Sequence, residues 1–267
     1  MLKTNSIIKI TRGENIDYIQ FNKLLDLGVK HAFTLRKGEL NFSHKNIEKE
    51  KENYMILADE LNLDYKEITK PKQNHTKNVR IIDKPYTTED LLETDGLITD
   101  KKGVVLASTS ADCILYLVYD KKKKIIGNIH SGWRGTYQRI IENSIGKMIE
   151  EFGSNPADIV ICSCPSIRGC HFEVDEDVKM KFEDKFKFLN LDFIKNGDIV
   201  DGKQKYYIDT IKLNKKLLTD LGISVENIID SGVCTVCNIH DCNSYRIDGP
   251  KFKLSTAVIT LDWNKKM

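Results

Sequence analysis

A chain of 267 residues, 40% hydrophobic and 30% charged, can bury a sizeable core, and its formal net charge of +2 argues against a dedicated nucleic-acid binder. No apolar run approaches the roughly 20 residues that span a bilayer, and the opening MLKTNSIIKITRGEN has no signal-peptide centre, so a cytoplasmic protein with no membrane partner is expected. Without repeats, low-complexity segments or linkers, residues 1–267 read as one domain, expected to be a monomer.

In chain order, residues 7–11 and 29–35 read as strands flanking a short helix around 21–27. From 46 to 61, Ile47, Tyr54, Leu57, Ala58 and Leu61 recur at helical spacing among charges, which predicts an amphipathic helix. Strands follow at 68–72, 79–82, 96–99 and 104–108. Two apolar runs, 114–119 and 125–129, are separated by Lys121 to Lys124 and predict an antiparallel hairpin with a solvated turn. Thr136 is expected to cap a helix that runs to about 152, with Gly153 as its stop. A buried-type strand at 159–164, a charged helix at 175–188, a short strand at 206–208, a helix at 209–221 and strands at 228–232 and 255–261 complete the chain. Strands and helices in mixed order imply an α+β or mixed α/β architecture.

Seven cysteines in a reducing compartment raise the question of metal binding or nucleophilic chemistry rather than a disulfide framework. A hairpin turn centred between Lys121 and Lys122 would set Cys113 opposite His130, with Cβ atoms about 5 Å apart. His75, in the turn-like KPKQNHTKNV, would add a second imidazole. Two imidazoles and one thiolate are a donor set that catalytic zinc uses while keeping a position open. HSGWRGT after the second strand supplies glycines for close backbone approach, Arg134 for an anion, and a helix N-terminus; equally, its glycines form a turn and Trp133 fills core. Two further groups, Cys162, Cys164, Cys170 and His171, then Cys234, Cys237, His240 and Cys242, read first as buried reduced thiols and second as a structural zinc or iron–sulfur site. Arg36, Asn41, Asp95, Tyr245 and Arg246 are the remaining polar candidates.

Taken together, TLRKGELNFS, KQNHTKNV, TDGLIT, ADCILYL, IHSGWRGT, CPSIRGCHFEV and CTVCNIHDCNSYRIDG resemble, in that order, the YfiH/YlmD family. The resemblance runs from about Ile16 to Trp263. That family was long labelled multicopper polyphenol oxidase or laccase-like and is now described as purine nucleoside phosphorylase. The resemblance implies a four-layer αββα fold similar to the catalytic domain of cytotoxic necrotizing factor. It also implies one zinc held by His75, Cys113 and His130, with activities of phosphate-dependent cleavage of adenosine, inosine and methylthioadenosine together with adenosine deamination. Arg36, Asn41, Arg134 and Arg246 are then the candidates for substrate or phosphate, inorganic phosphate being the co-substrate. Two departures touch the end of the chain: SYR continues as IDG, and a Gly-Arg pair before the last strand is replaced by Lys251 to Lys253. Three rival readings stand beside this one. A zinc-free Cys113 activated by His130 would be a thiol nucleophile for deamidation or cell-wall peptide trimming. Copper at the same donors would suit phenol oxidation, although laccase chemistry needs several coppers and the chain has six histidines. Lastly, a metal-stabilised scaffold could serve a partner rather than a reaction.

Overall fold

The computed structural model describes residues 1–261; Asp262 and Trp263, to which the resemblance extends, lie outside the described residues. Its strands are β1 (Ile8–Arg12), β2 (Asp17–Phe21), β3 (Lys30–Thr34), β4 (Ile68–Thr69), β5 (Val79–Ile81), β6 (Gly96–Thr99), β7 (Val105–Ser110), β8 (Ile114–Asp120), β9 (Ile125–Ser131), β10 (Ile159–Ser163), β11 (Glu173–Val174), β12 (Ile194–Val200), β13 (Lys203–Ile208), β14 (Ile228–Asp230) and β15 (Ser255–Thr260). The α-helices are α1 (Asn22–Asp26), α2 (Ile47–Leu61), α3 (Trp133–Tyr137), α4 (Ile140–Phe152), α5 (Glu176–Phe186), α6 (Thr210–Asp220) and α7 (Tyr245–Asp248). Two six-stranded sheets, ordered β1-β2-β3-β15-β7-β4 and β14-β10-β8-β9-β6-β5, carry the fold, and β11-β13-β12 form a third.

Strand β8 explains why its sequence is a continuous apolar run. Leu115, Leu117 and Tyr119 point into a core shared with Phe21, Phe33, Leu106 and Ile259 of the first large sheet. The alternate residues Ile114, Tyr116 and Val118 pack against Ile140, Ile141, Ile145 and Met148 of α4. A strand buried on both faces loses the polar half of the period-2 pattern. Helix α2 covers the far side of the first sheet, setting Tyr54, Leu57, Ala58 and Leu61 against Ala32, Val105, Ala107 and Val258. Each leucine or valine among them contributes about 1.5–3 kcal/mol by leaving water. The packing order is therefore helix, sheet, sheet, helix, a mixed α/β arrangement. Asn128 of β9 is the polar exception between the sheets: its amide donates to the carbonyls of Leu106 (3.0 Å) and Ala257 (2.9 Å), and its oxygen accepts from Ser108.

The hairpin corrects one expectation. Its turn is organised by Asp120, whose carboxylate accepts from the backbone N–H of Lys122 (2.8 Å) and Lys123 (2.9 Å). The centre moves by one residue, so Leu115 rather than Cys113 opposes His130. Because the pairing shifts by two residues, an even number, Cys113 and His130 keep the same face and meet on a diagonal. The helix after β9 differs too. Gly132 caps a five-residue α3, Arg139 takes the left-handed conformation (φ 63°), and α4 starts afresh. Thr136 is no cap; its hydroxyl is shared with Ser131 at 3.0 Å. The anion-attracting helix terminus expected there is thus a single short turn. Strands β2 and β12 were not foreseen, β12 because its IKNGDIV is exposed and interrupted by a register shift.

Candidate active site

The chain crosses from the first large sheet to the second between β7 and β8, and Cys113 sits on that crossover. His130 ends β9, while His75 projects from the loop joining β4 to β5. Gln73 anchors this loop: its side-chain oxygen accepts from the Thr109 N–H (2.8 Å) and its amide donates to the Thr109 carbonyl (2.9 Å). His75 and Asp112 have positive φ, 59° and 87°. Histidine and aspartate tolerate that region better than most side chains, and such conformations cluster where geometry serves a site.

Asp95 holds the assembly from behind. It lies fully buried just before β6, and its carbonyl accepts the His130 N–H at 2.7 Å. Its carboxylate accepts from the backbone of Asn74 (3.2 Å), His75 (3.0 Å) and Thr76 (2.7 Å), from the Thr76 hydroxyl (2.7 Å), and from His130 Nδ1 (2.8 Å). Burial would push this carboxyl up, but the His130 contact and the Thr76 donors outweigh it and hold it at about 2. With Asp95 accepting from Nδ1, the network assigns the free lone pair of His130 to Nε2, the nitrogen left to face Cys113.

The donor atoms of His75, Cys113 and His130 all lie within 4.8 Å of one another. Cys113 Sγ is 3.7 Å from His75 Nε2, and the two imidazole rings meet edge to face with centroids 4.9 Å apart. Burial opposes ionisation of the Cys113 thiol, yet His130 and His75 together bring it down to about 6. Burial likewise opposes charge on His130, but Asp95 and Cys113 raise it to about 9. Without a metal the pair therefore favours thiolate and imidazolium, and a bound ion would take the place of the proton on His130 Nε2. Gly132 makes the convergence feasible: a Cβ there would stand 2.5 Å from His75 Cδ2 and 3.0 Å from Cys113 Sγ. Two nitrogens and one sulfur converging with a direction left open fit a zinc ion, and would equally accept one copper.

Of the other candidates, Arg134 follows Gly132 by two residues in the chain. It is exposed, its guanidinium 4.3 Å from the centre of the Trp133 ring, and it forms no ion pair among the described residues. Arg36 is paired with Asp248 and donates to the Cys242 carbonyl (2.9 Å). Arg246 donates to the carbonyls of His171 (3.2 Å) and Glu173 (3.0 Å). Asn41 accepts from the Leu254 N–H at 2.8 Å. These three bind chain rather than the cluster. Sequence reasoning singled out Asp95 without a role and passed over Gln73 and Asp112 as individuals. Histidines that a multicopper centre would need are engaged elsewhere: His31 is buried between the Phe21 N–H and the Val29 carbonyl, and His44 pairs with Glu50.

Comparisons with known proteins show the family and the fold. Residues 30–261 match the family described as multi-copper polyphenol oxidoreductase laccase. A Bacteroides thetaiotaomicron protein named purine nucleoside phosphorylase is 30% identical over 80% of this chain and 84% of its own length. The Bacillus subtilis purine nucleoside phosphorylase YlmD is 37% identical over 54% of this chain; the match spans 50% of that protein. Among solved structures, Bacillus licheniformis YfiH superposes with a TM-score of 0.83 at 26% identity, covering 95% of this chain and 99% of that one. Geobacillus stearothermophilus YlmD, at 21% identity, shares the fold with a TM-score of 0.81 over 94% and 98%. No helix is long and apolar enough to cross a membrane among the described residues.

Proposed function

The chain belongs to the YfiH family, described as multi-copper polyphenol oxidoreductase laccase, and from that membership and the geometry at Cys113 we propose that it is a zinc-dependent purine nucleoside phosphorylase. The observation that carries the reading is the convergence of His75, Cys113 and His130, backed by the buried Asp95 carboxylate. These three residues would hold the ion, which would supply Lewis acidity and acidify a bound water at neutral pH. Asp95 fixes the ring of His130, and its bonds to three successive backbone N–H groups fix the loop of His75, so the donors need no rearrangement. Arg134, exposed beside Gly132, offers a planar cation to inorganic phosphate. Hydrogen phosphate then adds to the anomeric carbon of the ribose as the bond to the purine nitrogen breaks, and the leaving base takes up the proton that the phosphate gives up. Adenosine, inosine and S-methyl-5'-thioadenosine are the proposed nucleosides, with hydrolytic deamination of adenosine as the accessory reaction. Multicopper oxidation has no donor set: besides the His75 group, the described residues bring together a single other potential cluster, rich in cysteine.

A second reading rests on Cys113 alone. Its low thiol, the imidazole of His130 and the carboxylate of Asp95 line up as nucleophile, base and orienting group, the kind of pair implied by likeness to the cytotoxic necrotizing factor domain. Zinc would consume the thiolate, so the readings exclude each other. Incubating the zinc-loaded protein with adenosine, with and without phosphate, and alkylating Cys113 with iodoacetamide in parallel separates them. Adenine released with phosphate alone, and protection of activity by zinc, support the phosphorylase. Amide hydrolysis lost on alkylation regardless of zinc would replace it.

A further inference from the structure

Two loops distant in sequence bring a second donor set together at the surface. Cys170 and His171 lie between β10 and β11, and Cys234 and Cys237 follow β14; their four donor atoms also lie within 4.8 Å of one another. Cys170 Sγ and Cys237 Sγ are 3.9 Å apart. His171 Nδ1 is 3.2 Å from the Cys170 sulfur, 3.6 Å from that of Cys234 and 3.4 Å from that of Cys237. A tetrahedral zinc with bonds of about 2.3 Å to sulfur and about 2.0–2.1 Å to nitrogen holds its sulfurs about 3.8 Å apart and each sulfur about 3.6 Å from the nitrogen. The four side chains stand close to the corners of that tetrahedron. The opening is one ion wide, too small for an iron–sulfur cluster. The expectation that these cysteines are all buried thiols is thereby corrected: Cys162, Cys164 and Cys242 are buried in the core between the sheets, whereas Cys170 and Cys237 are exposed and His240 stands outside the cluster.

We propose that Cys170, His171, Cys234 and Cys237 bind one structural zinc ion, separate from the site at Cys113. Three thiolates and one imidazole are a closed ligand set with no position left for substrate, so its work is to clamp the two loops. The clamp bears on the first site through Asp112, the residue before Cys113. Asp112 accepts from Thr235 Oγ1 (2.5 Å), Ser244 Oγ (3.1 Å) and the Arg246 N–H (2.7 Å), all on the cysteine-bearing strap.

Zinc content of the full-length protein, measured by native mass spectrometry, tests this. Cys170→Ser and Cys237→Ser, both at exposed positions, should each carry one ion fewer than their parent, and the same difference should appear in a His75→Ala/Cys113→Ala background in which the first site is removed. Equal zinc in variant and parent overturns the proposal, as does iron in place of zinc. Should the variants not fold, the unmodified chain gives the answer by peptide mapping: Cys170 and Cys237 should resist iodoacetamide until a chelator is added. Alkylation at the same rate with zinc and with chelator, or a Cys170–Cys237 disulfide in protein purified under reducing conditions, contradicts it.

Discussion

Gly132→Ala adds one methyl group at the point where the site is tightest. The backbone there (φ −66°, ψ 175°) suits alanine, so conformation is no obstacle. Space is the obstacle: the new Cβ would lie 2.5 Å from His75 Cδ2, 3.0 Å from Cys113 Sγ and 3.2 Å from His75 Nε2. Carbon atoms in good contact are about 3.5–4.0 Å apart, so the imidazole must retreat by about 1 Å or more. Zinc–ligand distances tolerate about 0.2 Å, and a misplacement of about 1 Å can cost about 10²-fold in rate. Chelator competition should show a large loss of zinc affinity at the first site, and kcat/KM for phosphorolysis should fall about 100-fold. The fold should barely respond. Crowding costs about 1–3 kcal/mol, and the poorer entropy of the unfolded alanine chain returns about 0.4–1 kcal/mol, so the urea midpoint should move only modestly. A Gly132→Ala protein with normal zinc affinity and normal kcat/KM would refute the view that His75 and Cys113 meet across this glycine.

Asp95→Asn keeps the shape but loses an acceptor for His130 and the His75 loop; zinc affinity should fall about 10–100-fold, and unchanged affinity by chelator competition would deny Asp95 its orienting role. Asn128→Leu strands the carbonyls of Leu106 and Ala257 between the sheets, each costing about 1–3 kcal/mol; urea denaturation should show a loss of roughly 2–6 kcal/mol, and a neutral result would mean that water replaces the amide. His31 is held by burial at about 4, below the ordinary value of about 6.5. Its folded value is depressed, so the stability it contributes is whole above pH 6.5 and is lost as pH falls towards 4, about 3 kcal/mol in all. His31→Gln should flatten that part of the pH profile relative to the parent, and parallel profiles would contradict it.

Much of the site was legible because its chemistry sits in local motifs. The apolar runs flanking Lys121 to Lys124 give the hairpin directly, and parity, not register, puts Cys113 and His130 on one face. The register itself depends on the Asp120 side chain folding back on its own turn, an interaction no alternation pattern records. Arg139 breaks the expected helix at a positive φ that its residue type does not advertise. Asp95 illustrates the harder limit. A lone aspartate before a strand is ordinary, and only tertiary structure shows that donors from residues 74, 75, 76 and 130 converge on it. The two cysteine groups offered a zinc or iron–sulfur site only as the second reading, because more than sixty residues separate Cys170 from Cys237 and no local pattern shows which four side chains meet.

The most direct trial of the account is product analysis on one nucleoside. Zinc-loaded protein incubated with inosine should release hypoxanthine and a phosphorylated ribose only when inorganic phosphate is present, and a chelator, His75→Ala or Cys113→Ala should abolish the release. Free base appearing equally without phosphate, or undiminished after Cys113→Ala, would contradict it.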